Sequence, residues 1–274
     1  MNFIKCFFIT ILLFNHSLIF SQIKLEEIEL PKKINETSGL EYIGENFITH
    51  NDSGDDSKLY EFNDKGELLK LTRFYTIINR DWEDITFDGE KYYIADIGNN
   101  YGTRKNLTIY IVDRKLNLID SIKIKYKNQK SFDYLKFNRY DAEALTIIDE
   151  SLVLFSKNRK TLSTEIYVFP KLPGKYELES SSSLKVESLI TGADYNEKYK
   201  LLTLTGYDLD LFEQYLYVFN DFDIENINSA KFVKHKLPIN DAQIEAVKII
   251  DNKTFWVTSE DEGSGYPRLI KIKL

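Results

Sequence analysis

Apolar residues in this chain come in short runs, among them Asn46-Phe47-Ile48-Thr49, Lys91-Tyr92-Tyr93-Ile94-Ala95, Leu152-Val153-Leu154-Phe155, Lys200 to Thr205 and Thr254-Phe255-Trp256-Val257-Thr258. Clusters of Gly, Asn, Asp and Lys separate them. The runs are rich in β-branched and aromatic residues, and no stretch convincingly keeps the 3.6-residue period of an amphipathic helix. The pattern predicts an all-β protein.

The runs also repeat. An acidic residue followed by a small or acidic residue and then an apolar one occurs at Glu36-Thr37-Ser38-Gly39-Leu40, Trp82-Glu83-Asp84-Ile85, Ala142-Glu143-Ala144-Leu145 and Ile244-Glu245-Ala246-Val247. A weaker copy is Thr191-Gly192-Ala193-Asp194-Tyr195. The acids lie 47, 60, 51 and 51 residues apart. Such a period matches a propeller blade of four strands. In each unit an apolar second strand and a polar loop follow the anchor. A third strand comes next, carrying Tyr60, Tyr110, Tyr167 and Tyr217 in four of the five. The last unit runs out of chain after its third strand, Arg268 to Ile272, and Ile23 to Leu30 offers a spare strand to complete it. The expected fold is a five-bladed β-propeller of four-stranded blades, closed by the N-terminal strand, with six blades as the alternative. The 60-residue interval is assigned to a longer loop rather than a missing blade, and Ser180 to Ser183 to a loop tip.

The chain begins Met1-Asn2-Phe3-Ile4-Lys5, followed by a nearly unbroken apolar run from Cys6 to Phe20. A short positive start, an apolar segment below the roughly 20 residues of a membrane span, and small Ser21 together predict a secretory signal peptide over 1–21. A retained N-terminal anchor is the rival reading. Cys6 lies too early for lipoprotein processing. Cleavage leaves a single domain, 22–274, without cysteine, and moves net charge from −7 to −8, because Lys5 is the only charged residue removed. Without disulfides, stability must come from the core and from sheet closure. An acidic chain is a poor partner for nucleic acid, which needs a basic face. The mature protein is expected to be exported to the periplasm or the extracellular space, to have no membrane span, and to be monomeric.

Antiparallel pairing puts the start of each anchor strand and the loop after its second strand on one face. That face carries His50 to Asp56, Asp96 to Asn100, Ser156 to Arg159, Thr205 to Asp208 and Ser259 to Glu262, all rich in Asp and Asn. Glu36, Glu83, Glu143, Asp194 and Glu245 are expected to ring the axis. Crowded carboxylates raise one another's pKa, and a hard, oxygen-seeking cation, Ca2+ or another divalent ion, would relieve the conflict. The alternative is that the acids accept backbone N–H groups and tie blades together. Asn51, Asp96, Asn99, Lys157, Asn158 and Glu260 are the expected ligand contacts on this face. Lys157 and Arg159 either bind a phosphate or carboxylate or are solvated charges. His50, the one histidine on this face, is either a general base beside Asp52 or an ordinary loop histidine, and Trp82 is either a stacking platform or a core aromatic. Asn51 to Asp56 lacks the closing Glu of an EF-hand loop and reads as a turn. There is no Gly-x-Ser-x-Gly nucleophile motif, zinc-protease motif or phosphate-cradling glycine loop.

Ser38-Gly39-Leu40, Asp81-Trp82-Glu83-Asp84-Ile85, Asp96-Ile97-Gly98-Asn99-Asn100 and Asp141-Ala142-Glu143-Ala144-Leu145 resemble the exported bacterial propellers grouped as phytase-like or esterase-like. They also resemble the SdiA-regulated propellers. This resemblance spans nearly the whole mature chain and implies a propeller with a central calcium site. The sequence departs from the pattern where it has Ala or Asp for Gly and where Gly192-Ala193-Asp194 replaces the Glu copy. Two functions follow as expectations. One is a metal-dependent hydrolase of phosphate esters, esters or lactones, and the other is a non-catalytic propeller that binds a small molecule, glycan, peptide or protein over the channel.

Overall fold

A computed structural model describes residues 23–210 and 213–274, so the expected signal peptide lies outside the described residues. Strand β1 (Lys24–Glu29) leads into blade 1, formed by β2 (Thr37–Ile43), β3 (Asn46–Asn51), β4 (Lys58–Phe62) and β5 (Leu68–Arg73). Blade 2 has β6 (Trp82–Phe87), β7 (Lys91–Asp96), β8 (Thr108–Asp113) and β9 (Leu118–Tyr126). Blade 3 has β10 (Ala142–Ile148), β11 (Ser151–Ser156) and β12 (Ser163–Pro170), then β13 (Gly174–Leu178), which leaves the blade, and β14 (Ser182–Lys185), which completes it. Blade 4 has β15 (Leu189–Asn196), β16 (Leu201–Tyr207), β17 (Gln214–Phe219) and β18 (Val233–Leu237). Blade 5 has β19 (Ile244–Asp251), β20 (Thr254–Ser259) and β21 (Arg268–Lys273), with β1 as its outer strand. The protein is a five-bladed β-propeller, as the repeat predicts.

The ring closes as the sequence requires. β1 pairs antiparallel with β21 from Lys24 opposite Lys273 to Glu29 opposite Arg268, and Leu30 N donates to Pro267 O at 2.8 Å. The long interval before Glu143 is a loop between β9 and β10. One expectation needs correction: Ser180 to Ser183 is not wholly a loop tip, because Ser182 and Ser183 begin β14. The preceding strand, β13, pairs in parallel with β9 from Gly174 opposite Ile122 to Leu178 opposite Tyr126. It therefore becomes a fifth strand of blade 2 and buckles blade 3 to it.

Each hydrophobic core is a wedge between neighbouring blades. Ile109, Ile122, Leu145 and Tyr167 fill the wedge between blades 2 and 3, while Leu30, Phe47, Trp256 and Leu269 fill the one where blade 5 meets blade 1. Near the axis the inner strands approach so closely that small residues are needed. A Cβ on Gly192 would lie 2.9 Å from Ala246 Cα in the next blade and 2.7 Å from Thr205 Oγ1. Gly39, at φ +70°, would put one 2.7 Å from Ile85 N. This explains the small residue that follows most of the anchors.

Removing residues 22–29 would leave the β21 edge unpaired, a template for intermolecular pairing. The truncated chain is expected to melt several degrees lower and to associate with rising concentration. Thermal unfolding and size-exclusion chromatography with light scattering check this.

Candidate functional site

Four inner strands share one irregularity near their start: a residue that skips its cross-strand partner. It is Glu83 in β6, Glu143 in β10, Thr191 in β15 and Glu245 in β19. Ser38 takes the corresponding place in β2, where the register breaks just after it. Such a bulge re-aims its side chain, and Ser38, Glu83, Glu143 and Glu245 all line a cavity of about 320 Å³ at the mouth of the channel. Asp52, Asn100, Lys157, Arg159, Tyr207, Gln243 and Glu260 complete its polar wall.

The expected ring of five carboxylates therefore needs correction at two positions. Asp194 lies three residues beyond the bulged Thr191, toward the opposite end of the channel. There its Oδ2 accepts from Ile249 N of blade 5 at 2.8 Å and its Oδ1 accepts from Lys248 Nζ at 2.8 Å. Lys248 also bonds Glu41 Oε2 at 2.7 Å, so a buried ion-paired triad spans blades 1, 4 and 5 at that end. Glu36 lies two residues before the bulge position. It belongs instead to a cluster with Asp52 and Glu260, in which one carboxylate oxygen from each lies within 4.8 Å of the others. The hydroxyls that replace carboxylates at the bulge tie blades together: Ser38 Oγ donates to Glu83 O at 2.6 Å and Thr191 Oγ1 to Ile244 O at 2.6 Å. Asp84 does the same as an acceptor, taking Ile85 N and, from blade 3, Leu145 N. Thus Asp84 and Asp194 fulfil the alternative of acids tying blades together.

Among the expected ligand contacts, Lys157 and Glu260 line the cavity. The other four make hydrogen bonds within the loops, although Asn51 Oδ1 is buried without a partner. Asn51 Nδ2 donates to Lys33 O and Asp55 Oδ2. Asp96 accepts from Arg104 Nη2 at 2.7 Å. Asn99 accepts from Arg104 N and donates to Tyr140 O. Asn158 Nδ2 donates to Glu165 Oε1 at 2.9 Å. Of the proton-transfer pair, Asp52 faces the cavity, but His50 is fully buried, edge-on to Trp82 at 5.6 Å between centroids. Burial lowers the His50 pKa to about 4, so it is a neutral core imidazole. Trp82 is likewise wholly buried and serves as a core aromatic.

Electrostatically the cavity concentrates acids. Lys157 is buried, donates to Glu143 Oε2 and lies 4.8 Å from the centre of the Tyr207 ring. Arg159 reaches Asp141 Oδ2 at 3.3 Å, Glu143 Oε1 at 3.7 Å and Asn100 Oδ1 at 2.6 Å. These two cations do not balance the carboxyls around them. Burial first, and repulsion from Glu36, Asp81 and Glu143 next, raises Asp52 to about 8. Burial also raises Glu143 to about 7 against the pull of Lys157, and Glu245 to about 8. Burial and then Glu245, Asp52 and Glu36 push Glu260 up to about 11. Glu83, buried and facing Glu143 and Asp81, also rises well above the carboxylate range. Glu245, 3% exposed, takes a bond from Gln243 on Oε1, while its Oε2 is buried with no partner. Gly98 lies close beside this cluster, where a Cβ would displace the Glu83 and Asp81 carboxyls.

Arg159, Tyr207 and Gln243 are wall residues that the repeat does not announce. Arg159 and Tyr207 carry a sequence signal through their places in face loops, and Gln243 carries none.

No family model matches the chain, and no curated protein matches it in sequence. Solved structures do match in fold. An exo-β-1,3-galactanase of Phanerochaete chrysosporium, solved with β-1,3-galactotriose, aligns over 91% of this chain and 64% of its own at 9% identity, with a TM-score of 0.54. The WD40 β-propeller domain of Doa1 aligns over 85% and 62% at 14% identity and a TM-score of 0.44. Kuenenia stuttgartiensis hydrazine synthase aligns over 80% and 62% at 13% identity and 0.43. The chain thus spans less than two thirds of the length of each, and the likeness is one of propeller fold. Among the described residues, no helix is long and apolar enough to cross a membrane.

The raised carboxyls give stability a definite pH dependence. The folded protein holds these protons more tightly than the unfolded chain, whose carboxyls titrate near about 4. Their contribution is complete below that pH and is lost as pH rises through the folded values, about 7 to 8 for Asp52, Glu143 and Glu245 and about 11 for Glu260. With a chelator present, Tm is expected to fall between about pH 5.5 and about pH 8.5, and Glu245→Gln to make the fall shallower. Circular dichroism melts across that range check both. Separately, Lys157→Met strands the Glu143 carboxylate and is expected to cost about 3–5 kcal/mol. The Glu143→Gln/Lys157→Met pair should recover part of it, as read from urea unfolding midpoints.

Proposed function

We propose that the channel mouth is a divalent-cation site, with Ca2+ the fitting ion, serving a hydrolase that acts on a small anionic ester, phosphate ester or lactone. The observation that carries this reading is the convergence of Glu36, Asp52 and Glu260 oxygens at a cavity that Asp52 and Glu260 line together with Glu245, whose Oε2 is buried and unpartnered. Asp52 Oδ1 is also buried without a partner. All four residues offer hard oxygen donors, the set that calcium takes and softer metals do not favour. Glu36, Asp52, Glu245 and Glu260 would hold the ion, which supplies charge neutralisation and Lewis acidity in this acidic cavity.

The chain's own groups divide the remaining work. Arg159, at the cavity wall and held by Asp141 and Asn100, positions the substrate's anionic oxygen. Lys157 is buried behind it and fixes Glu143. Glu143, with its pKa at about 7, is poised to take a proton from water near neutrality. Glu83, kept protonated by burial and by Glu143, is placed to give one to the leaving group. Two acids pushed to different pKa values by different surroundings are a recurring arrangement in hydrolytic sites. The proposed activity would lie outside the cytoplasm, as the signal peptide expected over 1–21 requires.

Thermal unfolding of residues 22–274 tests the cation. A hundredfold excess of Ca2+ over its Kd should stabilise by about 2.7 kcal/mol, or roughly 5–10 °C, relative to EDTA. Glu260→Gln should remove most of that shift, and no shift in the unmodified protein would overturn the proposal. Nitrophenyl ester and phosphate hydrolysis tests the chemistry: Glu83→Gln should abolish turnover while keeping the Ca2+ shift. A full Ca2+ shift without turnover of any ester, phosphate or lactone would support the binding reading instead.

A further inference from the structure

The long loop between β9 and β10 and the tip after β7 build a shelf that the acidic cavity does not use. Tyr101 and Tyr134 stack with centroids 4.6 Å apart and planes 20° from parallel, and Phe137 lies in the same loop as Tyr134. These rings are 49%, 65% and 57% exposed, respectively. Tyr75 is the one other strongly exposed large aromatic among the described residues, so solvent-facing rings are gathered here rather than scattered.

Tyr101 and Phe137, with Lys136, Leu209 and Asp210, line a cavity of about 620 Å³. Asn100 and Arg159 line both this cavity and the acidic one, so the two are continuous. The shelf is held rigidly. Asn138, 2% exposed, donates to Asn99 O and Asn100 O and accepts Tyr140 N at 2.7 Å. Its carbonyl accepts Arg159 N at 3.2 Å, and Leu135 N bonds Tyr101 O at 2.9 Å. The loop's backbone is thereby fixed to the residue that reaches into the acidic cavity.

A flat, rigid ring face beside hydrogen-bonding groups suits a pyranose. The electropositive C–H face of such a sugar packs on the negative face of an aromatic ring while its hydroxyls point sideways to polar partners. Asn100 and Asp210 supply such partners, and Lys136 and Arg159 add positive charge along the path. The cavities fall within the size range of small-ligand sites.

We infer that the ligand is an anionic oligosaccharide that places its reacting, charged or ester-bearing sugar beside Arg159 in the acidic cavity and stacks the following sugars on Tyr101 and Phe137. This rests on the proposed hydrolytic site and names its substrate class. The shelf is then a chain-length reader, adding affinity only to ligands long enough to leave the cavity.

The test uses residues 22–274 with Ca2+ on an array of neutral and uronate-containing oligosaccharides, followed by titration of the strongest binder and its shorter forms. Binding is expected to favour uronate-containing chains of three or more sugars. Tyr101→Ala/Phe137→Ala should weaken the longest form about tenfold and leave the shortest unchanged. Absence of oligosaccharide binding, preference for neutral chains, or equal weakening at every chain length would overturn the inference. The same double variant must keep the wild-type Ca2+ shift in Tm. If the unmodified protein shows no Ca2+ shift, the hydrolytic reading fails, whereas an intact shift with no length-dependent loss fails the shelf alone.

Discussion

Five inner strands converge on an axis with little room for side chains, and the rest of the structure follows from how that room is shared. Just past the bulge the strands carry Gly39, Ala144, Gly192 and Ala246, and at Gly39 and Gly192 a side chain would strike the next blade. Asp84 is the exception, and it earns its place by spending both oxygens on backbone N–H groups, one of them across the blade boundary. Crowding of this kind turns hydrogen bonds between blades into the fastening of the ring. Ser38, Asp84, Thr191 and Asp194 each make one.

The same convergence creates the site. Three of the five bulges aim a glutamate into the mouth, and the loops after the second strands of blades 1 and 5 bring Asp52 and Glu260 to meet them. In water these carboxylates would repel one another weakly, but in a buried cavity the repulsion and the lost hydration act together. The fold tolerates the conflict by placing Lys157 and Arg159 on one side and by holding protons on the remainder. At the far end of the channel one lysine, Lys248, serves two acids, Glu41 and Asp194, and ion pairing there is closer to complete. The channel is thus polar along its length, with a paired end and an acid-rich end.

Most of this was legible in the sequence because spacing and alternation are set by the blade itself. The five-fold period, the closing strand at Ile23 to Leu30, and the channel positions of Glu83, Glu143 and Glu245 all follow from a repeat in which strand type and length are fixed. What the repeat could not convey is register. Asp194 looks like a shifted copy of the anchor, yet the bulge in β15 falls on Thr191 and leaves Asp194 three residues further along. Glu36 precedes its bulge by two residues and so reaches a different cluster. A period-two structure makes such slips consequential, since a bulge decides which side chain enters the channel. The loop roles of Asn51, Asp96, Asn99 and Asn158 were not legible in the sequence for another reason. Loop amides and carboxylates are favoured both by ligands and by tight turns, and only the hydrogen bonds distinguish the two.

The strand exchange at β13 carries the argument outward. By joining the edge of blade 2, it fixes blades 2 and 3 to each other at their rim, on either side of the long loop that leaves β9 and enters β10. That loop therefore springs from two blades that cannot separate, and Asn138 pins its far end to Asn99, Asn100 and the backbone of Arg159. An insertion this long would be free to move in most settings; here both its roots and its tip are held against the wall of the acidic cavity. Rigid placement of exposed aromatic rings costs conformational entropy and leaves apolar surface in water. Among the described residues, Tyr101, Tyr134 and Phe137 sit in the blades that also supply Glu83, Glu143, Lys157 and Arg159.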